Sequence, residues 1–197
     1  MQTVILANGD FPPKGGEAYS ALKQAKRVVA CDGAAAKFYR AFGRWPDAVV
    51  GDFDSSSGSC GDAEVVKCTD DNLNDLEKAI LYCKLTFGDD LVVVGASGKR
   101  EDHTIGNIFR ALEYGVKIVT ESGVFYPLFG KGTFCSCKNA GVSIFTNNPK
   151  AKMESTGLKW PLKGVKFSAP YTATLNRATS TRFTIKTDSP AFVYIER

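Results

Sequence analysis

Histidine occurs once in the 197 residues, apolar runs stay well short of the roughly 20 residues of a membrane span, and lysine and arginine form no dense stretch. Each absence excludes something. Without a long apolar run no membrane helix is expected, and a net charge of +4 spread along the chain is not the footprint of a nucleic-acid or anionic-membrane binder. The six cysteines (Cys31, Cys60, Cys68, Cys83, Cys135 and Cys137) are too few and too irregularly placed for a disulfide framework in a chain of this length. Only Cys135 and Cys137 are close, with a C-x-C spacing that puts both side chains on one face of a strand. Zinc there would need two further ligands, and His103 lies in another segment. Free thiols are therefore expected. Met1 leads into TVILANG with no basic flank, which reads as a first strand and as a cytoplasmic protein.

With 44% hydrophobic and 23% charged residues the composition is that of an ordinary globular protein, long enough for one large domain or two small ones. Up to about Thr120 compact apolar runs (TVILANG, RVVACDG, DAVVGDFD, LVVVGASG, VKIVT) alternate with segments of helical spacing (GEAYSALKQA, AAAKFYRAF, NLNDLEKAILYCKLTF, DHTIGNIFRALEYG). That alternation predicts helices on both faces of a parallel sheet, a Rossmann-like α/β domain over residues 1–122. From Gly123 the pattern changes to short β-rich segments broken by Gly, Asn and Pro turns, which predicts a small antiparallel β-sandwich over residues 123–197.

The stretch VVVGASGKREDH (92–103) brings a glycine turn to the start of a helix, a setting suited to an anion. It is not a complete Walker loop: two residues, not four, separate Gly95 from Gly98-Lys99, and Arg100 follows where a hydroxyl is needed. Ligands of open parallel sheets bind beyond the carboxyl ends of the strands. There the sequence places Asp32, Asp52, Asp54, and the loop from Gly95 to Asp102; Asp70, Asp71 and Asp75 precede or open the next helix. Carboxylates gathered at one edge repel unless a cation joins them, and hard oxygen ligands suit magnesium, which leaves much of its shell to water and substrate phosphates. Asp52 and Asp54 alternate in an extended strand end, so both are expected to face one ion while Phe53 points into the core. Lys99 and Arg100 supply positive charge for phosphate oxygens. Local alternatives stand beside these readings: Asp32-Gly33 as a turn pair, Asp54 or Asp102 as a cap, Asp75 with Glu77 and Lys78 as a solvated helix face, His103 as buried or capping, and Trp160 as a packing residue.

Taken in order, CDGAAAKF, PDAVVGDFDS, NDLEKA, GASGKREDH and STGLKWPL resemble the thiamin pyrophosphokinase family over nearly the whole chain. The resemblance implies transfer of a pyrophosphoryl group from magnesium-ATP to thiamin, with thiamin and ATP as partners in a homodimer whose active site lies at the subunit interface. It implies Asp52, Asp54 and Asp75 as metal-binding and catalytic acids, joined in catalysis by Arg100 and Asp102. By the same resemblance Asp32 and Gly33 are expected to line the nucleotide pocket, with Gly98, Lys99, Arg100 and Lys78 completing the ATP-binding set. The resemblance further implies that Trp160 packs on thiamin, with Asn176 and His103. The chain departs from the family pattern at Lys99, in place of a second glycine, and at Ala34, Asn72, Asn74 and Leu175. Two other readings are open: an aspartyl-phosphate phosphatase with Asp52 as nucleophile, and a non-catalytic nucleotide- or ligand-binding module.

Overall fold

A computed structural model describes residues 2–54 and 60–197, which form two compact units, Met1–Glu121 and Ser122–Arg197. In the first unit six strands run parallel: β1 (Thr3–Leu6), β2 (Val28–Cys31), β3 (Ala48–Gly51), β4 (Glu64–Lys67), β5 (Leu91–Val94) and β6 (Lys117–Val119). Every residue of β1, β2, β3 and β5 is buried, as expected of near-continuous Val, Ile, Leu and Ala runs covered on both faces. The covering helices are α1 (Glu17–Gln24), α2 (Ala35–Phe42), α3 (Asp75–Phe87) and α4 (Glu101–Glu113).

The strand order β6-β5-β1-β2-β3-β4 reverses direction between β1 and β5. Chain leaving β1 winds toward β4, then returns to lay β5 on the other side of β1. Loops at a reversal of this kind diverge at the carboxyl ends of the two strands and open a crevice, the usual ligand site of doubly wound sheets. β4 is absent from the sequence reading. Its EVVK has charges at both ends and is largely exposed, because it forms the sheet edge, where Glu and Lys deter pairing with other chains.

The second unit consists of two antiparallel sheets. One has the order β11 (Ala173–Arg177), β9 (Gly141–Phe145), β13 (Ala191–Glu196), β7 (Gly123–Leu128); the other is β10 (Met153–Thr156), β12 (Arg182–Thr187), β8 (Lys131–Cys135). Alternate residues of β9 and β12 face inward, so Val142 and Ile144 meet Phe183 and Ile185 in one apolar core with Met153, Leu158, Leu162 and Phe167. This is the expected sandwich. Two local expectations change. β8 ends at Cys135, so Cys137 lies beyond the strand and the pair does not share a strand face; both are exposed free thiols. β11, also missed in the sequence, carries a register shift between Ala173 and Asn176, with Leu175 at φ +67° and 83% exposed.

A leucine in the left-handed region is strained, and one so exposed gains little from burial in return. Leu175→Gly is therefore expected to stabilise the protein by about 0.5–1 kcal/mol in thermal unfolding. A loss of stability would show that the leucine packs in a way its exposure does not reveal.

Candidate active site

The carboxyl end of β3 is shaped by what glycine omits. A Cβ on Gly51 would stand 2.6 Å from the Cβ of Asp32, so the glycine allows β2 and β3 to deliver Asp32 and Asp52 side by side. The chain then turns rather than continuing extended: Phe53 has φ +61° and is only half-buried, and Asp52 Oδ1 accepts a hydrogen bond from the Asp54 N–H at 3.2 Å. The expected strand-like alternation of Asp52 and Asp54, with Phe53 in the core, is thus replaced by a side-chain-to-backbone turn. Residues 55–59, on which the capping reading of Asp54 rests, lie outside the described residues.

α3 brings the partner for Asp52. Asn74 caps the helix by accepting from Glu77 N–H at 3.0 Å, while Glu77 Oε2 accepts from Asn74 N–H at 3.2 Å. This capping box fixes the first turn so that Asp75 and Lys78 share one face. Asn is among the best capping residues, so the departure from the family pattern at Asn74 is harmless to the helix. Lys78 Nζ donates to Asp52 Oδ2 at 3.4 Å and lies 3.8 Å from Asp75 Oδ1, with its own side chain 3% exposed against 37% and 40% for the two acids. Asp75 is therefore not part of a solvated helix face.

Burial alone would lower the Lys78 ammonium, but the bond from Asp52 and the field of both carboxylates outweigh it and raise it. Asp52 is lowered, by the Asp54 N–H first and Lys78 second. Asp75 is raised, by burial first and then by the negative charge of Asp52. Two acids with one shared cation and opposite shifts form a polarised pair at the strand ends. Among the described residues no three acidic, cysteine or histidine side chains are grouped closely enough to hold a metal ion.

Across the crevice, the loops after β1 and β5 are laced together. Gly9 N–H donates to Gly95 O and Asp10 N–H to Ser97 O, each at 2.8 Å. A Cβ on Gly9 would be 2.2 Å from Ser97 O, and one on Gly98 2.1 Å from Asp10 Oδ2, so both glycines are needed for the approach. Gly98 (φ +82°) and Lys99 (φ +58°) then turn the chain into α4. Lys99, in place of the family pattern's glycine, thus holds a left-handed backbone, at a cost of about 1–3 kcal/mol. Arg100 precedes α4 and forks onto Asp102, Nε to Oδ1 at 3.1 Å and Nη2 to Oδ2 at 2.6 Å. Asp102 sits inside the first turn rather than capping it, and Arg100 holds its carboxyl down to about 2.

Between these walls is a cavity of about 460 Å³. Asp52, Asp75, Lys78, Gly98, Lys99, Arg100 and His103 line it. His103 is exposed in the first turn of α4, neither buried nor a cap, and it belongs to the first unit while Trp160 and Asn176 belong to the second. Asp32, Gly33, Asp54 and Asp102 do not line the cavity. Gly33 acts on it indirectly, since a Cβ there would be 2.1 Å from Asn8 Nδ2. Asn8 itself lines the cavity and escaped the sequence reading, although Asn-Gly at the end of the first strand was a usable signal.

The second unit has its own pocket of about 360 Å³, lined by Trp160, Leu162, Val165, Leu175 and Asn176 among others. Trp160 is 51% exposed, so it is not a core residue. Asn176 is buried and engaged at both side-chain polar atoms: Oδ1 accepts from Trp160 N–H (3.1 Å) and Arg177 N–H (2.8 Å), and Nδ2 donates to Trp160 O (2.6 Å). Its amide clamps both polar groups of the tryptophan backbone. The Lys159 ammonium stands over the indole at 4.7 Å.

Comparison with known proteins agrees with the fold. The chain superposes over its full length on a protein from Lactobacillus plantarum, all of which is covered, with a TM-score of 0.82 at 19% identity. It is similar to thiamin pyrophosphokinase from Geobacillus thermodenitrificans (TM-score 0.78, 21% identity, 100% of this chain and 97% of that one). The enzyme of that name from Candida albicans is also similar (0.77, 17%, 99% and 89%). Likeness at such identities speaks for the fold alone. No curated protein matches the chain by sequence. Residues 18–120, more than half of the chain, match the family described as "Thiamin pyrophosphokinase, catalytic domain", and residues 123–194 match "Thiamin pyrophosphokinase, substrate-binding domain". Both halves of the molecule therefore lead to one conclusion: the chain belongs to the thiamin pyrophosphokinase family.

Proposed function

We propose that the protein transfers the pyrophosphoryl group of ATP to the hydroxyl of thiamin, giving thiamin diphosphate and AMP. The observation that carries this reading is the cavity at the sheet reversal, where Asp52 and Asp75 share Lys78 on one wall and Lys99 and Arg100 stand in the other. A polyphosphate needs such a division: cations for its oxygens, and carboxylates for the metal it brings.

Asp52 and Asp75 supply hard oxygen donors of the kind that take magnesium by one or two carboxylates plus substrate phosphates, and a cation would relieve both the burial that raises Asp75 most and the repulsion from Asp52 that adds to it. These two are the residues assigned to the ion; Asp54, expected with them, does not line the cavity. Bound magnesium would neutralise phosphoryl charge as the bond to the leaving phosphate breaks. The remaining work belongs to positioning and charge. Arg100, Lys99 and Gly98 orient the phosphates and Lys78 completes the nucleotide side, with Gly33 acting through Asn8 and Asp32 packed against Gly51. The thiamin hydroxyl attacks the β-phosphorus and AMP departs. Asp75 is the better acceptor for the hydroxyl proton, because it lines the cavity, whereas Asp102 is engaged by Arg100 and does not.

In the second unit thiamin is assigned to Trp160, with Asn176 acting through the tryptophan backbone; His103 lines the first unit's cavity. An indole that already holds an ammonium over its face is suited to a cationic ring. Trp160→Ala is expected to raise KM for thiamin about tenfold with little change in kcat. A fall in kcat with KM unchanged would move the residue away from binding thiamin. A homodimer and a cytoplasmic setting are parts of the same proposal; no helix among the described residues is long and apolar enough to cross a membrane.

The phosphatase reading is not favoured, because Asp52 follows the third strand rather than the first and its Oδ2 accepts from Lys78. The direct test is AMP release from magnesium-ATP with and without thiamin. Release that depends on thiamin supports the transfer, and thiamin-independent hydrolysis to ADP and phosphate refutes it.

A further inference from the structure

Two lysines from different elements meet beside the first unit's cavity, Lys99 in its lining and Lys37 outside it but bonded to two residues that line it, Asn8 and Gly9. Lys37, on α2, donates from Nζ to Asn8 Oδ1 at 3.2 Å and to Gly9 O at 2.9 Å. Lys99, in the loop after β5, donates to the same Asn8 Oδ1 at 2.8 Å. The two ammonium groups can be no farther apart than those two bonds laid end to end, and like charges so close oppose each other. Long flexible side chains have an easy alternative in water, so packing does not force the meeting. Lys99 reaches it from a left-handed backbone, φ +58°. The charged groups facing Lys37 are Lys99, Arg40 on its own helix and Asp10 in the loop after β1, so cations outnumber anions.

Each ammonium has three donors. Lys37 spends two of them, on Asn8 and Gly9, and Lys99 one, on Asn8, which leaves both with N–H groups to offer. Asn8, Gly9 and Lys99 all line the cavity. We propose that Lys37 and Lys99, gathered by Asn8, form the seat for the terminal phosphates of the nucleoside triphosphate. The proposal rests on the function argued above and adds Lys37 and Asn8 to its residues. A phosphate between the ammonium groups exchanges their repulsion for charge-assisted hydrogen bonds. The monophosphate product has nothing to place there, so the seat separates substrate from product.

A pH signature follows. Burial first, and Lys99 second, lower the Lys37 ammonium to about 8 from the ordinary 10.5. An anion favours the charged form, so binding above pH 8 takes up a proton, and affinity weakens as pH rises through that value. Titration calorimetry of magnesium-ATP and of AMP, on the whole protein and on Lys37→Met and Lys37→Arg, tests this. Lys37→Met is expected to weaken ATP about 10- to 100-fold and leave AMP unchanged, with Lys37→Arg restoring most of the loss. Proton uptake, read from heats in buffers of different ionisation enthalpy, should vanish in both variants, because arginine stays charged. Equal weakening of ATP and AMP, or undiminished ATP binding in Lys37→Met, would overturn the seat. The underlying function fails separately: if the wild type shows the expected ATP pattern yet makes no thiamin diphosphate, the seat stands and the transfer does not.

Discussion

Asp75→Asn is expected to lower kcat for thiamin diphosphate formation by about 10²- to 10⁴-fold, the range of a positioned acid or base, while changing stability by no more than about 1 kcal/mol. The two halves of that expectation come from the same geometry. Asp75 opens α3, where a carboxylate gains from the helix dipole, and it lies near Lys78; asparagine loses both. It also loses the repulsion from Asp52 that raises Asp75, so the stability terms oppose each other. At 40% exposure the side chain is further screened by water. The capping box of Asn74 and Glu77 does not involve Asp75 and stays in place. Steady-state kinetics with thermal unfolding separates the outcomes: lost activity with a kept transition supports the role, and near wild-type kcat removes it.

Asn176→Ala is expected to destabilise the protein by about 2–4 kcal/mol and to raise KM for thiamin at least as much as Trp160→Ala does. Removing the amide orphans Trp160 N–H, Trp160 O and Arg177 N–H in a place where Asn176 is only 4% exposed. Unsatisfied buried groups cost about 1–3 kcal/mol each, and some relaxation toward water keeps the total below their sum. Trp160 would lose the only side-chain hydrogen bonds to its backbone among those the structure describes, and the indole its fixed position. A stability loss with unchanged KM would make Asn176 a purely structural clamp. An unchanged stability would contradict the hydrogen bonding itself.

Long-period features of the fold were legible in the sequence, because helices and buried parallel strands imprint continuous patterns. Four of the six parallel strands are solid apolar runs, and all four helices carry apolar spacing. β4 and β11 were not legible for opposite reasons. One is a charged edge, and the other is interrupted by a bulge whose exposed leucine breaks alternation. The strand-end rule located Asp52 and the Gly98-Lys99-Arg100 loop at the cavity, yet it could not say that the chain turns at Phe53. A left-handed residue that is not glycine leaves no compositional mark. Nor could spacing show that Lys78 would point back at two acids, or that Lys37 and Lys99, sixty-odd residues apart, would converge on one asparagine oxygen. Such meetings are set by the sheet order, which brings the ends of β1, β2 and β5 together.

One measurement bears most directly on pyrophosphoryl transfer. ATP labelled at the γ-phosphorus, in parallel with ATP labelled at the α-phosphorus, is incubated with the protein, magnesium and thiamin, and the products are separated by chromatography. The account predicts that the γ label moves into thiamin diphosphate, that the α label appears in AMP, and that the two form in equal amounts. A γ label found in thiamin monophosphate or free phosphate, with the α label in ADP, would contradict it.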